Sequence, residues 1–154
     1  MTIRLAEKKD IPQIQTLLKD ILTLHHTIRP DIFKEEGAKY NPSELEQLLH
    51  EPSYSIFVYQ EGSDILGYLI CQLRQPSSPV LEPIKTLFID DLCVTSQARG
   101  KQIGQKLYQY ALDFAREQDC YNLTLDVWAD NEGAVRFYER LGLKPQKFIM
   151  ETLL

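Results

Sequence analysis

A short segment rich in glycine and basic residues, TSQARGKQIG at residues 95–104, precedes an apolar periodicity that predicts a helix. The first N–H groups of a helix have no partner within it, and the helix dipole adds partial positive charge, so such a start binds phosphate oxygens. Gly100 and Gly104 let the backbone approach an anion, and Arg99 and Lys101 add positive charge. The segment lacks the Gly-Lys-Ser/Thr ending of a P-loop, so it predicts a pyrophosphate cradle without magnesium.

A second motif, NEGAVRFYERLGL at residues 131–143, lies one strand–helix unit further along the chain. A capped helix that buries Ala134, Phe137 and Leu141 explains most of its pattern. Tyr138 lies one position off that buried stripe, so its hydroxyl can face a neighbouring cleft. Packing alone therefore does not explain this tyrosine.

Together the two segments resemble the GNAT superfamily of acyl-CoA N-acyltransferases. The phosphate motif of that family, Gln/Arg-x-x-Gly-x-Gly/Ala, is met from Gln97 except at its last place, where Gln102 replaces a small residue. Gly104 fits a common variant of the motif. The later family motif, Asn-x-x-Ala-x-x-Phe-Tyr-x-x-x-Gly-Phe, is met from Asn131 to Leu143, with leucine for the final phenylalanine. The resemblance covers the whole chain in element order and implies an N-acetyltransferase that uses acetyl-CoA as co-substrate.

The resemblance further implies a wedge between the strand that ends at Val94 and the strand at residues 121–128. The pantetheine arm of acetyl-CoA would enter it and pair with the first strand as an added strand. The diphosphate would rest on the amides of residues 99–104, and no metal is expected. The residues predicted to bind the cofactor are Leu92, Cys93, Val94, Arg99, Gly100, Lys101, Gln102, Ile103, Gly104, Asn131 and Ala134.

Acetyl transfer to an amine then assigns roles to three side chains. An aliphatic amine has a pKa of about 10.4, so it must lose a proton before it attacks, and a carboxylate can accept that proton directly or through water. Asp90 is the first candidate, because polyamine-acetylating family members carry an acid at its position, and Asp91 is the second. Adjacent strand residues face opposite sides, so only one of the two should face the substrate. Tyr138 is the predicted acid that protonates the departing thiolate.

The acceptor pocket is expected to border the segment after the first helix. His25, Asp31 and Phe33 are its candidate substrate residues. The acceptor is predicted to be a small polyamine-like or amino compound. A protein lysine or N-terminus, a non-catalytic acetyl-CoA-binding module, and an unrelated α/β protein that carries both motifs by chance remain open alternatives.

The elements that must position these residues follow from apolar periodicity and turn residues. Strands pair first and strand–helix units follow, which indicates an α/β class. The resemblance makes this a GNAT-like mixed, mostly antiparallel sheet of six to seven strands, flanked by about four helices and splayed at the central parallel strands. The predicted strands are residues 2–6, 54–60, 65–73, 84–94, 121–128 and 147–154, and the predicted helices are residues 11 to about 29, 42–50, 100–118 and 131–141.

Size and charge bound the remaining possibilities. The 154 residues suit a single domain spanning 1–154. A formal net charge of −5 disfavours nucleic acid as a partner and mildly favours a cationic small molecule. No apolar stretch approaches the ~20 residues of a membrane span, and the start lacks the apolar core of a signal peptide. The protein is therefore predicted to be cytoplasmic and not to associate with a membrane.

Cysteine usage agrees with a reducing compartment. Cys71, Cys93 and Cys120 are odd in number, far apart and set in apolar runs, which is typical of reduced core thiols. There is no C-x-x-C spacing for a metal. A homodimer is a further expectation.

Overall fold

The apolar periodicity of the sequence divides the chain into short strands and amphipathic helices. The computed structural model describes residues 1–98 and 100–154. Short 3-10 turns precede the first and third helices. In chain order the elements are β1 (Thr2–Leu5), α1 (Ile11–Ile28), α2 (Pro42–His50), β2 (Tyr54–Glu61), β3 (Asp64–Arg74), β4 (Thr86–Val94), α3 (Ile103–Glu117), β5 (Asn122–Leu125) and α4 (Glu132–Arg140).

The strands form one mixed sheet in the order β1-β2-β3-β4-β5. The pairs from β1 to β4 are antiparallel, and β4 pairs with β5 in parallel. The parallel pairing spans only four residues on each strand and ends where Ile89 faces Leu125. β4 continues alone to Val94, so the sheet splays at its parallel strands. With four helices, this is the predicted α/β, GNAT-like arrangement.

The helices cover both faces of the sheet because strand side chains alternate between them. Val58, Tyr68 and Ile70 pack with α1 and α2 on one face. Leu69 and Cys71 pack with α3 on the other face. No helix in the described part of the chain is both long and apolar enough to cross a bilayer.

The sheet has five strands in the described residues, so the prediction of six to seven was wrong. Residues 147–154 alternate as a strand would, yet no strand of the described chain pairs with them. Pairing between strands, more than sequence pattern, decides whether a segment becomes a strand. β5 is also shorter than predicted, because beyond Leu125 the chain turns away from β4.

α3 begins at Ile103 and not at residue 100. Gly100 has φ +88° and Gln102 has φ 56°, which are left-handed backbone conformations that cannot continue a right-handed helix. The predicted cradle is therefore a left-handed turn followed by a helix N-terminus.

Candidate active site

The wedge between β4 and β5 exposes backbone groups of β4 that pair with no strand in the described residues. Thr95 donates its N–H to the carbonyl of Leu66 at 2.8 Å, and Leu92 and Val94 face residues of β3 in the same register. In an antiparallel ladder, hydrogen-bonded pairs alternate with pairs whose N–H and C=O groups point away. Thr95 belongs to a hydrogen-bonded pair, so Val94, one residue before it, and Leu92, three residues before it, belong to pairs that are not hydrogen-bonded. The backbone N–H and C=O groups of Leu92 and Val94 therefore point into the wedge. An extended ligand can pair there as an added strand.

Cys93 lies between these two residues and faces elsewhere. The same alternation directs its backbone groups to Tyr68 of β3. Its thiol is buried 3.8 Å from the carbonyl of Leu17, and burial raises its pKa to about 12, with a further contribution from Asp91. Cys93 therefore offers no group to the wedge, although the sequence predicted that it would.

The start of α3 keeps the features of an anion cradle. Lys106 makes the first intrahelical bond, its N–H donating to the carbonyl of Gln102 at 3.0 Å, so the amides of residues 103–105 precede the hydrogen-bonded part of the helix. A side chain built at Gly100 would meet no atom within 4 Å, so the approach to this backbone is open. Arg99 lies outside the described residues.

Two other predicted cradle residues have different contacts. The ammonium of Lys101 pairs with the carboxylate of Glu61 at 3.0 Å, on the protein surface. A Cβ at Gly104 would lie 3.2 Å from the ring of Phe137. Gly104 therefore allows α4 to pack against α3, and its role includes packing as well as the approach to an anion.

Gln102 is the residue that departs from the family motif, and its left-handed φ of 56° explains why a small residue suits this place. We expect Gln102→Gly to raise the free energy of unfolding by up to about 1 kcal/mol, because relief of left-handed strain exceeds the added freedom of the unfolded chain. Thermal unfolding measures this as a rise of about 2–4 °C in Tm. The control, Gln105→Gly, places glycine at an exposed position of α3 and should lower Tm.

α4 carries the side chains on the far wall of the wedge. The Asn131 Oδ1 accepts the N–H of Ala134 at 3.2 Å and caps the helix, which leaves the amide NH2 of Asn131 free to donate. The half-buried ring of Tyr138 packs edge-on against Tyr108 and Phe137, with centroids 6.5 and 5.1 Å apart. Burial raises the pKa of Tyr138 to about 12, and the charge of Asp91 adds to the rise. Its hydroxyl is therefore protonated throughout the neutral range.

Asp90 and Asp91 both face the α1–α2 layer, contrary to the expected alternation. Cys71 pairs with Ile89 and Ile70 with Asp91, so Asp90 is an unpaired bulge residue in β4. Its carboxylate accepts a hydrogen bond from the hydroxyl of Tyr40 at 2.6 Å and forms a salt bridge with the ammonium of Lys39 at 3.2 Å. Both contacts are to Oδ2, so one oxygen of the Asp90 carboxylate is held by the loop between α1 and α2.

In the described residues, the carboxylate of Asp91 has fewer polar partners than that of Asp90. One carboxylate oxygen accepts the hydroxyl of Tyr68 at 2.7 Å. Burial raises the pKa of Asp91 above its ordinary value, and the hydrogen bond from Tyr68 opposes part of that rise. Burial also lowers the pKa of the nearby His25. The site therefore combines the carboxylate of Asp91, whose pKa is raised, with the imidazole of His25, which is neutral at pH 7.

An aromatic cluster lies at the C-terminal end of α1, beside the open end of the wedge. The ring of Phe33 stacks on His25 at 4.8 Å and meets Trp128 edge-on at 5.2 Å. The guanidinium of Arg29 lies 5.8 Å from the Trp128 ring. Asp31 is instead paired with Arg29 at 2.9 Å and half exposed. The structure thus brings His25 and Phe33 together and leaves Asp31 outside the cluster.

Sequence reasoning missed four side chains of this site. Lys39 and Tyr40 lie in a loop without periodicity, and Tyr68 reads as one more core residue of β3. Trp128 carried a usable signal, since it is an aromatic residue placed just before the Asn131 motif. Within residues 1–98 and 100–154, no group of His, Cys, Asp and Glu side chains could hold a metal ion.

Comparison with known proteins agrees with this geometry. The sequence model described as the acetyltransferase (GNAT) family matches residues 18–143. N-alpha-acetyltransferase 30 of Schizosaccharomyces pombe is 29% identical over 133 residues, which are 86% of this chain and 81% of that protein. A crystal structure of a mutant protein from Bacillus halodurans superposes with a TM-score of 0.95 at 29% identity, covering 100% of this chain and 99% of the other. Aminoglycoside N-acetyltransferase AAC(6')-Iy in complex with CoA shares the fold at 12% identity, with a TM-score of 0.75 over 99% and 98% of the two chains.

Proposed function

Because the chain belongs to the GNAT acetyltransferase family, we propose that it transfers acetyl from acetyl-CoA to a primary amine by direct attack of the amine on the thioester. The observation that carries this proposal is the free β4 backbone in the wedge, together with a half-buried carboxylate, Asp91, whose charge contributes to the raised pKa of the Tyr138 hydroxyl. Direct attack needs a base and an acid near one carbonyl, and a cysteine nucleophile is not required.

The proposed donor site fits acetyl-CoA at two places. The free N–H and C=O groups of Leu92 and Val94 would pair with the amides of the pantetheine arm, and the amide NH2 of Asn131 would donate from the other wall. Amides of residues 100–105 would hold the diphosphate, with open space at Gly100. The related fold crystallised with CoA supports this assignment.

Within the wedge, we assign Asp91 as the base and Asp90 as a positioning residue. A base must be free to accept a proton, and the carboxylate of Asp90 already accepts from Tyr40 and Lys39. Within the described residues the carboxylate of Asp91 accepts one hydrogen bond, and its pKa is raised, so it accepts the amine proton more readily. A backbone N–H of Leu92 or Val94 would polarise the thioester carbonyl, and Tyr138 would donate to the leaving sulfur.

The proposed acceptor is a small cationic amino compound of polyamine type. The carboxylates of Asp90 and Asp91 lie on the α1–α2 side of the wedge, where negative charge favours a cationic amine. The net charge of −5 also favours the approach of a cationic acceptor. A protein N-terminus is the second candidate, favoured by the match to N-alpha-acetyltransferase 30.

A panel assay tests the reaction and separates the two candidates. Release of CoA is followed with acetyl-CoA and polyamines, aminoglycosides, amino acids, or peptides with free N-termini. We expect kcat/KM for a polyamine to exceed that for every peptide by at least tenfold. If only peptides are acetylated, the acceptor is a protein N-terminus, which is the second candidate. Absence of turnover with every amine, despite acetyl-CoA binding, would indicate a non-catalytic module.

The cradle predicts a specific loss of acetyl-CoA affinity in Gly100→Ala. A methyl group at this place would fill the open approach to the backbone, so calorimetry should give a Kd at least tenfold higher. The control is Gly62→Ala in the β2–β3 turn, where φ is also positive and nothing lies within 4 Å. Both variants carry similar backbone strain of about 1 kcal/mol. Equal affinities in the two variants would contradict the cradle.

Three wider assignments complete the proposal. We propose that residues 1–154 act as one GNAT domain in the cytoplasm, without nucleic acid, membrane or metal. We also propose that the protein is a homodimer. Sedimentation velocity over a range of concentrations measures that state directly.

A further inference from the structure

Lys39 places an ammonium group of the chain itself beside the carboxylates of the proposed acceptor site. Its Nζ donates to the backbone carbonyl of Asp90 at 3.1 Å and forms a salt bridge with Oδ2 of the same residue at 3.2 Å. The Nζ also lies 5.7 Å from the ring centroid of Tyr40. A carboxylate, a carbonyl and an aromatic ring are the groups that recognise the ammonium of an amine ligand. Lys39 therefore occupies a place that suits a substrate cation.

The charge of Lys39 also acts on the part of the site where the amine would react. Burial lowers the pKa of His25, the charge of Asp91 opposes this, and the charge of Lys39 lowers the pKa further. Burial raises the pKa of Asp91, and the hydrogen bond from Tyr68 and the charge of Lys39 oppose that rise. The ammonium of Lys39 is thus close enough to affect the carboxylate that we propose as the base.

The salt bridge between Lys39 and Asp90 is fixed on one side only. The side chain of Asp90 is 10% exposed, whereas that of Lys39 is 47% exposed and belongs to the loop between α1 and α2. A lysine ammonium is strongly hydrated and ends a flexible stem, so Lys39 can move into water at little cost. A carboxylate that is largely buried needs a positive partner. Another ammonium group can therefore replace Lys39 at Asp90.

The bulge in β4 makes such a replacement possible within one acceptor molecule. It turns the carboxylates of Asp90 and Asp91 to the same side of the sheet, on residues whose Cα atoms are about 3.8 Å apart. Oδ1 of Asp90 accepts no hydrogen bond from residues 1–98 and 100–154, since Tyr40 and Lys39 both contact Oδ2. One short diamine can thus present its reacting nitrogen to Asp91 and its second nitrogen to Asp90.

We propose that Lys39 is a specificity-determining residue, whose ammonium holds the place at Asp90 that the second ammonium of a diamine or polyamine takes when the acceptor binds. This rests on the proposed function and states what the acceptor site selects. A monoamine brings its only nitrogen to Asp91 and leaves Lys39 in place. A diamine competes with Lys39 for Asp90, so the lysine weakens the binding of diamines more than that of monoamines.

The experiment compares putrescine, which has two amines, with butylamine, which has one, on the full chain saturated with CoA. Calorimetry gives the Kd of each amine without turnover. In Lys39→Gln we expect the Kd of putrescine to fall by about fivefold, as for one partly exposed ion pair, and that of butylamine to change less than twofold. With acetyl-CoA, the KM of putrescine should fall in parallel while kcat stays within about twofold.

Two variants control for charge and for folding. Lys8→Gln removes the same charge and a salt bridge to Glu46 of 3.3 Å, at the opposite end of the 18-residue α1 from His25, and should change neither Kd. Lys39→Arg keeps the charge and should bind both amines as the wild type does. In NMR spectra of the wild type, the side-chain signals of Lys39 should shift with putrescine and stay unchanged with butylamine.

The outcomes distinguish this inference from the proposed reaction. An unchanged or higher Kd of putrescine in Lys39→Gln, or an equal gain for both amines, would overturn the role of Lys39. So would unshifted Lys39 signals, or failure of both amines to bind the wild type and Lys39→Gln. The expected changes in Kd without turnover of any amine would overturn the proposed reaction and leave the role of Lys39 in binding intact.

Discussion

Tyr138→Phe should lower kcat by roughly tenfold to a thousandfold, as expected for the loss of a general acid. The departing thiolate would lose the hydrogen-bond donor that we propose for it on the α4 wall of the wedge. Acetyl-CoA affinity and Tm should change little, because the substitution removes one hydroxyl and leaves the ring contacts with Tyr108 and Phe137. Calorimetry, thermal unfolding and steady-state kinetics measure the three quantities on one preparation.

The sign of the pH dependence follows from the raised pKa of Tyr138. With a pKa of about 12 the hydroxyl is protonated at every pH suited to assay, so Tyr138 should contribute no basic limb below about pH 11. A phenol with this pKa is a much weaker acid than a thiol of ordinary pKa, about 8.5, so complete transfer of its proton to the thiolate is unfavourable. Tyr138 therefore acts mainly as a hydrogen-bond donor that stabilises the developing thiolate.

Two comparisons make the Tyr138 experiment specific. Tyr108→Phe removes a neighbouring phenol hydroxyl from the same aromatic group and should leave kcat within about twofold. Acyl donors with more acidic thiols should restore part of the rate of Tyr138→Phe, because such thiolates leave without help. If kcat of Tyr138→Phe equals that of the wild type while chemistry limits the rate, water protonates the thiolate and the tyrosine only packs.

Backbone-determined parts of the site were predictable from sequence. The turn at Gly100 and the cap at Asn131 depend on local residue types, because glycine and asparagine have local conformational preferences, although α3 begins three residues later than predicted. The apolar stripes placed the helices for the same reason. The left-handed φ of Gln102 was the exception, since a longer residue occupies a place that favours glycine.

Parts set by tertiary pairing were not predictable. The bulge at Asp90 depends on the register between β3 and β4, and it turns a carboxylate toward the α1–α2 layer that strand alternation would place on the other face. Lys39 and Tyr40 reach Asp90 across 50 residues of chain or more. Residues 147–154 have the pattern of a strand, yet they pair with no strand in the described residues.

Asp91→Asn should lower kcat/KM by about a hundredfold and remove the part of the acidic limb that Asp91 sets, which leaves only the rise due to deprotonation of the amine itself near its pKa of about 10.4. The ionised carboxylate is the base, so wild-type activity should fall as pH drops through the pKa of Asp91, which burial raises. Asparagine keeps an acceptor for the Tyr68 hydroxyl and cannot take the amine proton. Stopped assays between pH 5 and 9 with a good amine substrate give the profile.

The Asp91→Asn substitution should lower the activity of the protein without lowering its stability at pH 8. A carboxyl whose folded pKa exceeds its unfolded value stabilises the fold at low pH, and that stability is lost as pH rises from about 3.9 to the folded pKa. At pH 8 the wild type therefore carries a half-buried charge that Asp91→Asn lacks. The variant should unfold at the same or a higher Tm at pH 8, which would mark Asp91 as a residue kept for function.

Two companion variants separate Asp91 from its neighbour. Asp90→Asn leaves the base in place, so the acidic limb should persist, while Tm falls because Lys39 and Tyr40 lose a charged partner. Tyr68→Phe removes the hydrogen bond that lowers the pKa of Asp91, so the limb should move to higher pH. A limb that vanishes in Asp90→Asn and persists in Asp91→Asn would reverse the two roles, because the bulge would then present Asp90 to the amine.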